Sequence, residues 1–292
     1  MVVKIDRNIR SNFAGYNVLI NLFHKINEHS GEDIHLDFTE NYWFEGNLSA
    51  ILGAIRFFVE EQGKSIKFNN LSPILDDVLH RNDFFSQYGR DPKIDAKASV
   101  ISFKKFTKDE HVEFMTYLKN ELLSKSDFPK HSQMLGKRII ENIFELFENA
   151  RTHGNCKYIY TCGQHYPNQK KNRLDITIVD LGSTIKRNVN EYQNTNLSGS
   201  ETIEWAMKLG NTTKTGDTPG GFGLGILFEF IKLNLGKIQI ASADGYWEFK
   251  KENIEKGLFE CSFPGTIVNI EFNLNDTNSY KLSKEISLDG LF

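Results

Sequence analysis

The chain predicts an α/β (α+β) protein of two modules, a smaller one over 1–125 and a larger one over 130–292. Three observations predict it. Alternating apolar residues mark short strands, and apolar residues at i, i+3, i+4 and i+7 mark helices between them. A small-polar stretch with a proline, SKSDFPKHS (124–132), separates two such runs and predicts a domain boundary. The length of 292 residues leaves ample room for core, and 39% hydrophobic with 25% charged residues is a globular composition.

In the first module, GYNVLINLFHKI places Val18, Leu19, Leu22, Phe23 and Ile26 on one helical face. IHLDFT alternates Ile34, Leu36 and Phe38, the pattern of a half-buried strand. GNLSAILGAIRFFVEEQG then repeats at helical spacing from Leu48 to Val59 and stops at Gly63. SIKFN is the next strand, so a strand, a long helix and a second strand predict a right-handed crossover with parallel pairing. Ser72 and Pro73 supply an N-cap and first turn for SPILDDVLH. GRDPKIDAK is polar and irregular, followed by a strand in SVISFKKF and a helix in DEHVEFMTYLKNELL.

The second module opens on a long helix, MLGKRIIENIFELFENARTHG, with Ile140, Ile143, Phe144, Phe147 and Ala150 on its buried face and Gly154 as its stop. KYIYTCG and RLDITIVD predict strands joined by a polar tip that carries Lys170, Lys171 and Arg173. From 181 to 220 the chain is rich in Asn, Thr, Ser and Gly, with one helix near SETIEWAMKLG; a connection of that length is usually functional. GGFGLGILFEFIKLNLG is a glycine-rich helix start, and KIQIAS, YWEFKK and TIVNIEFNL close the sheet.

Several function classes are disfavoured. A net charge of −3 lacks the basic field of a nonspecific nucleic-acid binder. The three cysteines match no metal-ligand or redox spacing, and an odd, low count fits a reducing compartment. The N-terminal residues lack the apolar region of a signal peptide and no run is long enough to span a membrane, so the cytoplasm is expected.

Four features carry chemistry. Glu145, Asn149 and His153, at i, i+4 and i+8, stack along one side of the long helix at about 6 Å per step. Alone, they describe an ordinary polar face. Asp180 ends an apolar strand with Gly182 behind it; a carboxylate there accepts from an exocyclic amine, and a glycine lets a flat ring approach. The same pair also makes an ordinary turn. GGFGLG (220–225) offers backbone amides and a helix N-terminus to an anion, but it does not follow a strand in a short crossover, so it is no dinucleotide fingerprint. PGTIVNIEF sets Thr266 at the start of a late strand.

In that order, over 136–274, these features resemble the GHKL ATP-binding family of gyrase-type topoisomerases, heat-shock chaperones, mismatch-repair ATPases, histidine kinases and anti-sigma-factor serine kinases. The resemblance implies a Bergerat-type α/β sandwich, a mixed sheet with helices on one face, binding ATP and Mg²⁺. It implies that Asn149 ligates Mg²⁺ and Asp180 binds the adenine amine with Gly182 beside the ring. Gly221, Gly223, Leu224 and Gly225 would form the phosphate loop, and Thr266 would support the adenine through water. The segment 183–220 would be a lid, with Lys214 a γ-phosphate contact, and Glu145 would be the general base. ELFENARTHG is similar to the anti-sigma kinase form of the box; His153 either contacts phosphate or caps its own helix. Ser183 and Thr184 depart from the family, which often has a second glycine there.

The crossover unit at 34–69 and the helix after it distantly resemble STAS domains, although WFEGNLS stands where Asp-Ser-Ser-Gly is usual. That likeness implies a protein-binding module without a phospho-switch. The expectation is a Mg-ATP-binding protein, a slow ATPase or ATP-driven switch, acting on a protein partner through its first module, with a homodimer as an open assembly. The alternatives are a serine/threonine protein kinase and a non-catalytic nucleotide-binding adaptor. A histidine kinase is disfavoured, since nothing like a dimerisation helix pair surrounds His111.

Overall fold

The computed structural model describes residues 1–167, 170–208, 210–213 and 225–285. The chain opens on β1 (Val2–Lys4), β2 (Asn8–Ile9) and α1 (Phe13–Glu28), the helix capped by the Asn12 side chain on Gly15 N. Then come β3 (Asp33–Asp37), β4 (Trp43–Phe44), α2 (Ser49–Glu60), β5 (Ser65–Asn69) and α3 (Pro73–Arg81), which Ser72 caps with Pro73 in its first turn. β3 pairs with β5 in parallel, Ile34 opposite Ile66, as the crossover through α2 requires, and β1 adds a third parallel strand.

β6 (Val100–Thr107), α4 (His111–Tyr117), β7 (Lys130–His131) and α5 (Gln133–Thr152) follow, and then β8 (Tyr158–Tyr166) and β9 (Arg173–Asp180). α6 (Ile185–Gln193), α7 (Gly199–Met207) and α8 (Gly225–Leu233) precede β10 (Lys237–Lys250), β11 (Asn253–Asn273) and β12 (Ser279–Tyr280). The main sheet has the order β10-β11-β9-β8-β6.

Several expectations change here. Every pairing in the main sheet is antiparallel, not mixed, because tight connections join β8 to β9 and β10 to β11; the parallel pairs belong to the small sheet. Helices also cover both faces of the main sheet rather than one. On the front, Ile143 and Phe147 of α5 and Ile231 of α8 share a core with Ile178, Ile240 and Val268. On the back, Leu19 of α1 and Ile51 and Ile55 of α2 share a core with Tyr160, Val179 and Ile267. Ile178 and Val179 thus serve opposite cores, as the period-2 pleat requires.

Nor does the 124–132 stretch divide the sheet. β6 lies before it yet pairs with β8, and Phe114 of α4 stacks on Phe147 of α5 with ring centroids 4.8 Å apart. Small polar residues mark exposed ends of this connection, but Phe128 at its middle is buried against Phe230 and Phe272, which ties the stretch into the front core. The 181–220 region also holds α6, hidden from periodicity because Val189 is its one buried residue. KIQIAS and YWEFKK are one strand, bent where Ala243 takes φ 52° between two register shifts.

A buried polar seam joins the back helices to the sheet. Glu45 and Asn47, from the turn before α2, meet Arg173, Asp175 and Thr177 of β9 and Asn269 of β11. Arg173 Nε lies 2.6 Å from Asp175 Oδ2 and its Nη2 bonds Glu45; Asn47 Nδ2 donates to Thr177 Oγ1 at 2.9 Å, and Asn269 Nδ2 donates to Asp175 Oδ1 at 3.2 Å. Among the described residues no helix is long and apolar enough to cross a membrane.

Candidate active site

A cavity of about 890 Å³ lies on the front of the sheet, between α5, the α6–α7 segment and α8. Its floor is apolar, from Ile178, Ile240 and Val268, and it becomes polar where β9 ends. There Asp180 sits opposite Thr266 of β11, and Thr266 sits opposite Ser242 of β10, so the ladder sets three polar side chains in a row. Ser242 Oγ is 3.1 Å from Thr266 Oγ1, donates to Gly265 O at 2.8 Å and accepts from Ile185 N at 3.0 Å. Ser242 thereby ties the start of α6 to the sheet. Its position in KIQIAS gave no sign of this, since a serine at a strand end is usually a turn residue.

Asp180 is the most unusual group in the cavity. It is 6% exposed, and among the described residues its Oδ1 has no hydrogen-bond partner. Burial pushes its carboxyl up to about 7, with the Thr266 backbone N–H offsetting part of the rise. A buried carboxylate oxygen without a donor is costly, and such groups in native proteins call for an explanation. Behind it the buried Cys156 thiol is pushed up to about 12 by burial and by the Asp180 charge, which keeps it in the unreactive thiol form near neutrality.

From the other wall, Glu145, Asn149 and His153 all line the cavity, as their spacing along α5 predicts. Glu145 is half-buried and Asn149 exposed, and neither side chain hydrogen-bonds to another described residue. His153 joins several segments. Its backbone N–H closes α5 on Asn149 O at 2.9 Å, and its ring Nδ1 lies 3.1 Å from Thr213 Oγ1, fastening the segment beyond α7 to the helix end. Its carbonyl also accepts from Asn188 Nδ2 at 3.0 Å.

Gly182 is placed otherwise than expected. It lies off the cavity, in a depression of about 310 Å³ with Leu181, Pro264 and Tyr158. A Cβ there would come 2.2 Å from Gly154 O, and Ser183 N donates to that same oxygen at 2.6 Å. The glycine lets the turn after β9 close against the end of α5. The departure at Ser183 and Thr184 also has its reason: Thr184 Oγ1 caps α6 on Arg187 N, and Ser183 Oγ donates to Asn188 Oδ1 at 2.7 Å. Gly225 begins α8 and lines the cavity, whereas Lys214, Gly221, Gly223 and Leu224 lie outside the described residues.

Among the described residues no group of three or more His, Cys, Asp and Glu side chains is arranged to hold a metal. A Mg²⁺ ion fits such a site when it takes one protein oxygen and completes its shell from phosphate and water, and Asn149 offers that oxygen. A scan against protein-family models matches nothing, and a search of curated proteins finds no match either.

Proposed function

We propose that the cavity binds Mg-ATP and that the protein is a slow ATPase or ATP-driven switch acting on a protein partner. The observation that carries this is the unpartnered Asp180 Oδ1, buried at a strand end and facing a cavity whose opposite wall presents Asn149 and Glu145. An exocyclic amine supplies the donor that Asp180 lacks, the apolar floor takes a flat base, and Thr266 offers a hydroxyl beside it, with Ser242 behind Thr266 at 3.1 Å. The resemblance to GHKL proteins supports the same assignment by the order of its boxes, and with it a Bergerat-type ancestry for the front half of the molecule. The likeness of 34–69 to STAS domains supports the back module as the partner-binding side.

In this reading Asn149 holds Mg²⁺ beside the phosphates, and the ion's contribution is to neutralise their charge. Glu145, one turn earlier on α5 and inside the cavity, takes a proton from the attacking hydroxyl or water. Gly225, at the start of α8, sets backbone amides toward the phosphate chain. Positioning and charge neutralisation supply most of the rate.

Calorimetry tests the binding. Asn149→Ala is expected to leave adenosine affinity unchanged and to remove the Mg²⁺ dependence of ATP binding; ATP binding that keeps its full Mg²⁺ dependence in the variant rejects Asn149 as the ligand. Phosphate release tests the chemistry. Glu145→Ala is expected to slow turnover by about 10²–10⁴-fold with binding retained, and unchanged turnover removes Glu145 as the base. A serine/threonine kinase reading rests on the same half-buried Glu145, whose carboxylate has no hydrogen-bond partner among the described residues. Labelled phosphate that moves onto a partner rather than into solution would select it, and binding without either outcome would select a nucleotide-ordered adaptor.

A further inference from the structure

The polar stripe of α5 has a fourth member that touches nothing in the cavity. Asn142 stands three residues before Glu145 and seven before Asn149, which puts it on their side of the helix. It is 8% exposed and absent from the cavity wall. Its Oδ1 accepts a hydrogen bond from Leu227 N at 2.8 Å.

Leu227 is the third residue of α8. The first four N–H groups of a helix have no partner within it, and the third is ordinarily satisfied by the helix's own N-cap side chain. In this protein the cap comes from another helix, 85 residues earlier in sequence. One bond therefore fixes the start of α8 relative to the turns of α5 that carry Glu145 and Asn149.

We infer that Asn142 is a positioning residue that keys the phosphate-facing end of α8 to the Glu145–Asn149 face of α5. The inference rests on the nucleotide reading above and extends it to a residue that contacts no part of the nucleotide. Base recognition at Asp180 and Thr266 lies on the sheet and does not run through this bond. Phosphate recognition does, because the amides at the start of α8 must face the same point as Asn149. Asn142 thus sets how much affinity the phosphates add, and leaves what the base contributes unchanged.

The test compares wild type, Asn142→Ala and Asn142→Asp, titrated with adenosine and with Mg-ATP. Asn142→Ala removes the acceptor; Asn142→Asp keeps an acceptor oxygen at the same place. Adenosine affinity is expected to stay within about twofold in all three, while the gain of Mg-ATP over adenosine falls about five- to tenfold in the alanine variant and returns in the aspartate variant. Hydrogen exchange of the Leu227 amide, measured without ligand, is expected to quicken in Asn142→Ala and to be restored in Asn142→Asp. Equal losses for both ligands would reduce Asn142 to a structural cap, and no change in either would overturn the proposal. Wild-type protein that binds neither ligand would defeat the nucleotide reading itself. The exchange result is independent of that, and an unchanged Leu227 amide would overturn the keying of α8 by Asn142.

Discussion

Asp180→Asn is expected to weaken adenosine binding about 10- to 100-fold while making the ligand-free protein more stable at pH 8. Loss of a charge-assisted hydrogen bond sets the first magnitude. The second follows from linkage. The Asp180 carboxyl is raised from 3.8 to about 7 by burial, so the folded state holds this proton more tightly than the unfolded chain. Its stabilising contribution is present in full below pH 4 and is lost as pH rises through about 7. Above that, the folded protein carries a buried, unpartnered charge. At about 1.36 kcal/mol per unit, removing the charge returns roughly 1–4 kcal/mol at pH 8. The gap between variant and wild type should close on acidification, and subtracting one from the other cancels every other titrating group.

The same group gives a pH profile for binding. Ionised Asp180 is the stronger acceptor, so adenosine affinity of the wild type is expected to rise from pH 6 to pH 8 with a midpoint near 7. Adenosine is the suitable probe because it carries no titrating phosphate. A flat profile, together with Asp180→Asn protein that binds normally, would show that the carboxylate does not contact the base.

The second large effect lies on the opposite face of the sheet. Arg173→Ala is expected to cost about 3–5 kcal/mol of unfolding free energy, a large part of the 5–15 kcal/mol typical of a domain. Arg173 has three carboxylates around it: Glu45 from the back module and Asp175 on its own strand, with side chains 3% and 0% exposed, and Glu271 of β11 at 3.7 Å. Without the guanidinium neither Glu45 nor Asp175 keeps a cation in contact among the described residues, Glu45 retaining only Ser11 N at 2.7 Å and Asp175 only Asn269 Nδ2 at 3.2 Å. Burial already pushes Asp175 up to about 6 against the pull of Arg173, and losing that pull raises it further. A raised carboxyl contributes stability at low pH that disappears as pH rises, so the deficit of Arg173→Ala should be smaller at pH 5 than at pH 8. Urea unfolding at the two pH values measures this. A loss under about 1 kcal/mol would mean that the seam relaxes or admits water.

These two predictions mark where the sequence was and was not legible. The elements of the front half were readable because apolar spacing declares a buried face directly: the α5 stripe, RLDITIVD and the helix after the glycines all form as the pattern requires. The convergence of Asp180, Thr266, Glu145 and Asn149 on one cavity could be expected from box order. What defeated the pattern was pairing across long separations. Arg173 looked like part of a basic hairpin tip, yet it is the buried counter-charge for a residue 128 positions away. Nothing local in IIENIF marks Asn142 as the acceptor for Leu227 N, 85 residues later.

By itself, then, the sequence determined most of the longer helices and strands and which side chains could carry chemistry, because local periodicity and side-chain type are properties of the chain alone. Only the tertiary structure decided that α1 and α2 cover the back of the main sheet, and that β6 belongs to it across the 124–132 stretch. It also moved Gly182 from the cavity to a contact between turns and left Asp180 Oδ1 without a donor. Each of these turns on which distant groups share a desolvated space, and burial and hydrogen-bond satisfaction are set by that sharing, which no local pattern encodes.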